Sequence, residues 1–437
     1  MNLYLPIEIL NREFQSKLLI AMESASRGMK VYMGRLVPYL KKDHFVPGIV
    51  LQKSITPSPQ RLKELRYYKK KKFIVTSLDE EVGLFDLDNN DYLKLRYSNQ
   101  SLELADKVFA WGKWDYNNLC KKFKKHKKKF ILSGNPRLDF WKKNFDFFYE
   151  NKKLKYKDYI FFSLNLSFLI SKKEFNKYLT FLRDSDYINR GFGIKKAIKL
   201  REDSHKMFKK FSKLITTLSK KTDLKIIVRP HPTEKIKNYN FLKKYSNVKV
   251  IKEGNISEWI YYAKTVVHSS CTGGLEASIR GRPTISYLPF KSSHGHQFAD
   301  SYSIKTKNLN ECLNTIKKVT KDNKKIKKYD LKSIKFRAHN FSSNKPSYKI
   351  IANEFIKLMN LNKINYQNND LFLKFKFKLR DLRSKILKNK YGTIKFSIFD
   401  KDETLKIFEI FKKLKPKFND LTIDFIKKDI IQIKNNG

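Results

Sequence analysis

Two stretches of this chain carry side chains at spacings that chemistry uses. Asp79, Glu80 and Glu81 stand in a row just before Gly83, after a run that reads as a strand. Clustered carboxylates at a strand end suit removal of a proton from a hydroxyl, or stabilisation of a developing cation, and like-charged neighbours hold one another's pKa up. A solvated acidic turn is the alternative reading. Glu8, Arg12 and Glu13 lie after the first strand and at the start of the first helix. They form a second, weaker set, with Arg12 suited to orient either carboxylate. Arg137 belongs to a strand-to-helix turn, Ser133-Gly-Asn-Pro-Arg-Leu-Asp139, and is an additional candidate on the same side.

The second stretch lies further along. Arg229-Pro-His-Pro232 ends one strand, and His268-Ser-Ser-Cys-Thr-Gly-Gly-Leu-Glu-Ala277 follows another. Ser269, Ser270, Thr272, Gly273 and Gly274 lead straight into a helix. Small residues let a phosphate approach the backbone, and a helix N-terminus offers N–H groups and the positive end of its dipole. Glu276, in the first turn, suits the hydroxyls of a ribose. A helix start that packs closely for structural reasons is the competing reading, and His231 and His268 equally suit buried, hydrogen-bonded histidines.

Other signals are weaker. Asp184-Ser-Asp186 and Asp86-Leu-Asp88 have the shape of a metal-binding pair but lie among charged residues. His294-Gly-His296 lacks a matching third ligand, so no metal site is expected. There is neither a G-x-S-x-G elbow nor a G-x-x-x-x-G-K-[ST] loop. Cys120, Cys271 and Cys312 are far apart with no C-x-x-C spacing, which fits a reducing compartment and excludes a disulfide framework.

The elements that must position these residues alternate. Residues 2–9 read as a buried strand. Phe14, Leu18, Met22 and Ala25 then fall on one helical face ending at Gly28, and residues 30–33 form a second strand. Strand, helix and strand within so short a span predict a parallel βαβ unit. Strands are also expected at 72–76, within 105–111 and at 130–132. A second series of strands is expected at 158–164, 224–228, 248–251, 265–268 and 283–287. Ligands of such parallel sheets bind at the carboxyl ends of the strands, where both candidate sets lie. Residues 140–158 read as a connection between domains or as a surface helix, and 347–361 as a closing helix. In 371–380 apolar and basic residues largely alternate, which fits a basic edge strand or a membrane-contacting face.

The chain has 437 residues, enough for two domains with cores of their own. Its 41% hydrophobic content excludes a wholly disordered protein. With 94 Lys and Arg against 42 Asp and Glu, the net charge is +52. Such a surface favours the phosphates of nucleic acid or anionic lipid. Lysine is spread along the whole chain beside plentiful Asn, a pairing that AT-rich coding also produces, so nucleic acid is the weaker partner candidate. The N-terminus lacks a basic region before an apolar run, and the most apolar stretch, 159–170, is too short to span a bilayer. A cytoplasmic protein, or one peripheral on the inner face of the cytoplasmic membrane, is expected.

A set of motifs in order carries a resemblance. NREFQSKLLIAMESASRGMKVYMG, LDEEVG, WG, SGNPRLD, VRPHP and HSSCTGGLEA follow one another across residues 1–361. This order resembles that of bacterial surface carbohydrate biosynthesis proteins, which are similar to GT-B glycosyltransferases and more distantly to the capsule and O-antigen Kdo transferases. The His-Pro signature is also shared with polymerases that use CDP-glycerol. The resemblance implies an α/β fold of GT-B type, two Rossmann-like domains with parallel sheets facing a cleft; the order of elements divides them as 1–157 and 158–361 and leaves a basic appendage, 362–437. The resemblance also implies a nucleotide-sugar substrate held by Arg229, His231, His268 and the 269–274 loop, a glycan or glycolipid acceptor, and no bound cofactor. A CMP-linked keto-sugar acid is the donor that the Kdo-transferase likeness suggests. The last 75 or so residues match nothing in the resemblance.

Overall fold

The first βαβ unit forms as the pattern requires. β1 (Asn2–Pro6) and β2 (Lys30–Gly34) pair in parallel, with Asn2 opposite Lys30 and Pro6 opposite Gly34, and helix Leu10–Ala25 connects them. Phe14, Leu18, Met22 and Ala25 are buried, but so is every residue from Glu13 to Ala25. The helix is covered on a second side by helix Ser347–Asn362, so its amphipathic stripe understates its burial. In the computed structural model, residues 1–42, 44–80, 89–152, 154–293, 297–321, 331–362, 368–386 and 398–436 are described. Glu81, Asp86, Asp88, His294 and His296 lie outside them.

β3 (Ile49–Gln52), β4 (Ile74–Leu78), β5 (Lys107–Ala110) and β6 (Phe130–Leu132) extend the sheet in parallel, in the order β2-β1-β3-β4-β5-β6. The chain builds to one side of β1 and then to the other. The crevice where the strand order reverses therefore opens between the carboxyl ends of β1 and β3.

A second parallel sheet contains β7 (Tyr159–Ser163), β8 (Ile226–Arg229), β9 (Val248–Val250), β10 (Ala263–His268), β11 (Thr284–Tyr287) and β12 (Ile304–Thr306). Its order is β12-β11-β10-β7-β8-β9, so its reversal lies between β7 and β10. The core on one face of this sheet gathers Phe162, Leu164, Val228, Val267 and Ile285 with Met207, Phe211 and Leu214 of helix Ile194–Ser219. Tyr159, Phe161, Ile227 and Val266 fill the other face with Trp259 and Ile260.

The chain divides differently from the sequence expectation. Met1–Gly83, Leu93–Asp139 and Lys332–Gly437 form one compact unit, and Leu84–Tyr92 with Phe140–Leu331 the other. The boundary falls after Asp139, not after residue 157, because 140–152 packs into the second unit. Tyr149 stacks on Tyr261 at 4.9 Å, and the Tyr262 hydroxyl donates to the Tyr149 carbonyl at 2.8 Å. Residues 332–361 return to the first unit. The Asp139 carboxylate accepts the N–H groups of Ser347 and Tyr348 and so caps the closing helix, while Phe355 meets Phe109 edge-on.

The last segment is also part of the first unit. β13 (Leu421–Lys427) and β14 (Ile430–Asn435) form a hairpin, and β14 adds antiparallel to β2, with Ile430 opposite Gly34 and Ile433 opposite Val31. Among the described residues the first sheet thus reads β13-β14-β2-β1-β3-β4-β5-β6. The edge strand expected within 371–380 is instead helix Asp370–Ile386. Leu373 and Phe377, four residues apart, bury one helical face, and that burial outweighs the local alternation.

Candidate functional site

The 269–274 loop sits at the reversal point of the second sheet, immediately after β10 and beside the end of β7. Helix Thr272–Ile279 begins within it, capped by Cys271, whose side chain makes no capping hydrogen bond. The loop is held by groups from several strands. His268 is fully buried at the end of β10. Its Nδ1 accepts from the Cys271 N–H at 3.3 Å, so Nε2 carries the proton and donates to Ser303 Oγ at 2.8 Å. Burial pushes this imidazole down to about 3, which keeps it neutral. Ser270 adopts a left-handed backbone (φ 47°), strained for a residue with a side chain, and its hydroxyl donates to Asp300 at 2.6 Å. Asp300 also accepts from Ser286 Oγ of β11 at 2.5 Å. Ser163, at the end of β7, lies 3.2 Å from Cys271 Sγ.

The two glycines are needed for close approach. A Cβ on Gly274 would lie 2.3 Å from His268 Nε2, and one on Gly273 would lie 2.7 Å from Ser163 Oγ. The helix start is therefore pressed onto the strand ends, and His268 acts under the loop, with no surface left for a ligand. Thr272 is half-buried at the first helical position. Glu276 is buried, and its carboxylate pairs with Arg280 at 3.2 Å. Arg280 in turn pairs with Asp146 and lies over the Tyr149 ring at 4.5 Å. Glu276 thus belongs to a buried ion-pair network beneath the helix, a placement that does not match the ribose contact expected of it.

The Arg229-Pro-His-Pro232 turn ends β8, the strand beside β7. The Arg229 guanidinium donates to the carbonyls of Glu253 (2.6 Å) and Gly254 (2.7 Å), and burial lowers its pKa to about 10. Its charge is spent on the 253–254 loop. His231 is half-buried, with Nδ1 2.8 Å from Thr233 Oγ1. A residue that the sequence reading passed over organises this turn. Glu234 accepts the His231 N–H at 2.7 Å, the Leu166 N–H at 3.3 Å and the Tyr239 hydroxyl at 2.5 Å. Burial raises its carboxyl to about 7. Its position three residues after His231 was the available signal.

In the first unit the acidic candidates divide. Asp79 is held by both arms of Arg96 at 2.7 Å, and its carbonyl accepts from the Trp111 indole at 2.7 Å. Asp79 is a clamp on helix Asn89–Arg96, not a free base. Glu80 is buried, with Lys17 Nζ 4.0 Å from one carboxylate oxygen and Arg137 3.8 Å from the other. That second oxygen accepts no hydrogen bond among the described residues. Burial, reinforced by the Glu13 charge, raises Glu80 above the usual carboxylate range against the pull of Lys17 and Arg137. Burial alone would also raise Glu13, but Lys17 at 2.8 Å and Arg12 at 3.1 Å outweigh it and hold Glu13 low. Glu13 also accepts the N–H groups of Glu8 and Ile9, at 3.2 Å each. Glu8 pairs with Lys53, which follows β3, so this pair spans the reversal point of the first sheet. Arg137 donates to the Glu80 carbonyl at 3.0 Å. Sequence reasoning missed Lys17, Lys53 and Arg96; only Lys17, four residues after Glu13 on one helix, left a local trace.

Among the described residues no group of three or more His, Cys, Asp or Glu side chains could hold a metal ion, and no helix is long and apolar enough to cross a membrane.

Two Rossmann-like units in one chain, the first on six parallel strands extended by an antiparallel hairpin and the second on a parallel sheet, each with a reversal point, define an α/β protein of GT-B-like fold. No protein-family model and no curated protein matches the chain. Solved structures do. The UDP-GlcNAc 2-epimerase of Methanocaldococcus jannaschii, in complex with UDP-GlcNAc and UDP, is 15% identical, covers 82% of this chain and 100% of its own, and has a TM-score of 0.47. The wall teichoic acid polymerase TagF with CDPG is 12% identical over 84% of this chain and 90% of its own, with a TM-score of 0.44. The UDP-N-acetylglucosamine 2-epimerase of Rickettsia bellii is 11% identical over 82% and 96%, with a TM-score of 0.43. These are distant likenesses, and the functional reading rests on this chain's own residues.

Proposed function

We propose that the chain is a sugar-nucleotide-dependent glycosyltransferase of surface polysaccharide or lipopolysaccharide synthesis. The observation that carries this reading is the 269–274 loop, which opens a helix at the reversal point of a parallel α/β sheet. A donor phosphate there would meet the positive helix end, with half-buried Thr272 at the first helical position beside it and the glycines holding that helix start down on the strand ends. Half-buried His231, at the end of β8, is the side chain offered to the donor from the neighbouring strand. On the acceptor side Glu80 is the carboxylate suited to take a proton, since its pKa is raised and one oxygen is unbonded among the described residues. The acceptor is a glycan or glycolipid. The same loop would serve a CDP-linked polyol donor, and the group transferred distinguishes the two.

The test is thermal stabilisation by CMP, CDP, UDP, GDP and ADP. A nucleotide at 100 times its dissociation constant adds about 2.7 kcal/mol to the folded state. In Thr272→Asp a carboxylate occupies the first helical position, where the dipole favours it by about 0.3–1 kcal/mol, yet it repels a phosphate. A nucleotide-selective shift in the native protein, absent in a Thr272→Asp protein at least as stable, is the expected result. A shift with CMP alone would assign a keto-sugar acid donor. Conversion of a nucleotide-sugar to its isomer with the nucleotide still attached and no acceptor present would assign an isomerase instead, and no shift with any nucleotide would sink the proposal.

A further inference from the structure

Helix Asp370–Ile386 carries two apolar faces where a docked helix needs one. Leu373 and Phe377 are buried. Phe377 lies against Tyr39 at 4.9 Å, His44 at 5.8 Å and Phe45 at 5.9 Å, which fixes the helix to the first unit. At about 100° per residue, Leu371, Phe375, Leu379 and Phe372 occupy an arc on the opposite side. All four are exposed, at 79%, 56%, 43% and 55%. Lys374 and Lys378 border this arc on one flank and Lys376 on the other, with Lys376 Nζ 4.4 Å from the Phe372 ring centroid. Large apolar side chains so exposed and so contiguous mark a contact surface.

We infer that this face is an interfacial membrane site, laid in the plane of an anionic bilayer with its four apolar side chains among the acyl chains and its lysines at the phosphates. An apolar arc bordered by long cationic side chains is the pattern of helices that lie in a membrane surface, where lysine stems follow the apolar layer and their ammonium groups stay at the headgroups. Charge complementarity selects this occupant. A second copy of the face would bring like lysine margins together in a chain whose net charge is already +52. A nucleic acid would stack on Phe372 and Phe375 but gives Leu371 and Leu379 nothing to contact. This inference stands apart from the reading of the 269–274 loop, since it uses no residue of that site.

The full chain would be mixed with vesicles of phosphatidylcholine alone and with vesicles containing an added phosphatidylglycerol fraction, and binding measured by flotation. Binding to the anionic vesicles, at least about tenfold weaker in Leu371→Asp/Phe375→Asp, is expected. Both positions are exposed, so circular dichroism and thermal melting should match the native protein. In Phe375→Trp, quenching of the added indole emission by brominated lipid reports insertion of the face itself. Equal binding by the double variant would overturn the inference, as would an added indole emission that brominated lipid leaves unchanged. Concentration-dependent self-association without vesicles, lost in the double variant, would assign the face to a second copy and overturn it as well. So would selective binding of RNA through Phe372 and Phe375.

Discussion

Glu234 and Glu276 show how little of a carboxylate's role its neighbours in sequence reveal. Both are buried beside candidate donor residues, yet one holds a turn by accepting two backbone N–H groups and the other neutralises Arg280. Glu234 makes a prediction in pH. Its folded pKa of about 7 stands above an unfolded value of about 4.3, so the folded state binds the proton more tightly. The contribution is complete below about pH 4 and is lost as pH rises through 7, a change of roughly 3–4 kcal/mol. Thermal melts of the native protein should fall between about pH 6.5 and about pH 8, above the range in which His268 opposes the change, and Glu234→Gln should flatten that slope. A slope unchanged in the variant would remove Glu234 as its source. His268 behaves in the opposite sense: with its folded pKa near 3 and an unfolded value near 6.5, it lowers stability progressively as pH falls from about 6.5 to about 3.

At the scale of elements, the C-terminal hairpin is the clearest departure from expectation. Ile430, Ile431 and Ile433 of β14 are fully buried, and Glu23 of the first long helix accepts ion pairs from Lys415 and Lys417. A strand added to β2 in this way is core, not an appendage. Ile431→Ala should therefore cost about 2–5 kcal/mol, read as a lower urea midpoint. A loss under about 0.5 kcal/mol would mean that β14 is dispensable to the sheet. The helix at 370–386 shows why this region was hard to read. Residues 371–380 satisfy both a period of two and the four-residue spacing of Leu373 and Phe377, and only the groove lined by Tyr39 and Phe45 decides between them.

For the whole molecule, the positive charge is more outward than composition states. Glu13, Glu23, Asp79, Glu80, Glu234 and Glu276 are all buried, whereas among the described residues Lys17 is the lysine so placed. Removing anions to the interior leaves the cations facing solvent. Association with anionic vesicles should accordingly weaken as salt rises from about 0.05 M to about 0.5 M, over which the screening length shortens roughly threefold. It should not vanish, because the apolar face of helix Asp370–Ile386 is indifferent to salt. Complete loss of binding at high salt, measured by flotation, would reduce the interaction to charge alone.

The sequence by itself determined the α/β class, the parallel βαβ start, most strands of both sheets and the loop at 269–274. Each of these is written in a period of two or 3.6 residues, or in a run of small residues at a strand end. It also determined the charge. Only the tertiary structure decided which acidic residues remain available: Asp79 is taken by Arg96, seventeen places on, and Glu80 is left with one unbonded oxygen among the described residues. It likewise decided that His268 lies closed beneath Gly274, that Arg229 is occupied by the 253–254 carbonyls, and that the last strand joins β2. Most of those outcomes depend on partners well separated along the chain, brought together by burial, and a late strand pairing with one near residue 30 leaves no local periodicity to read.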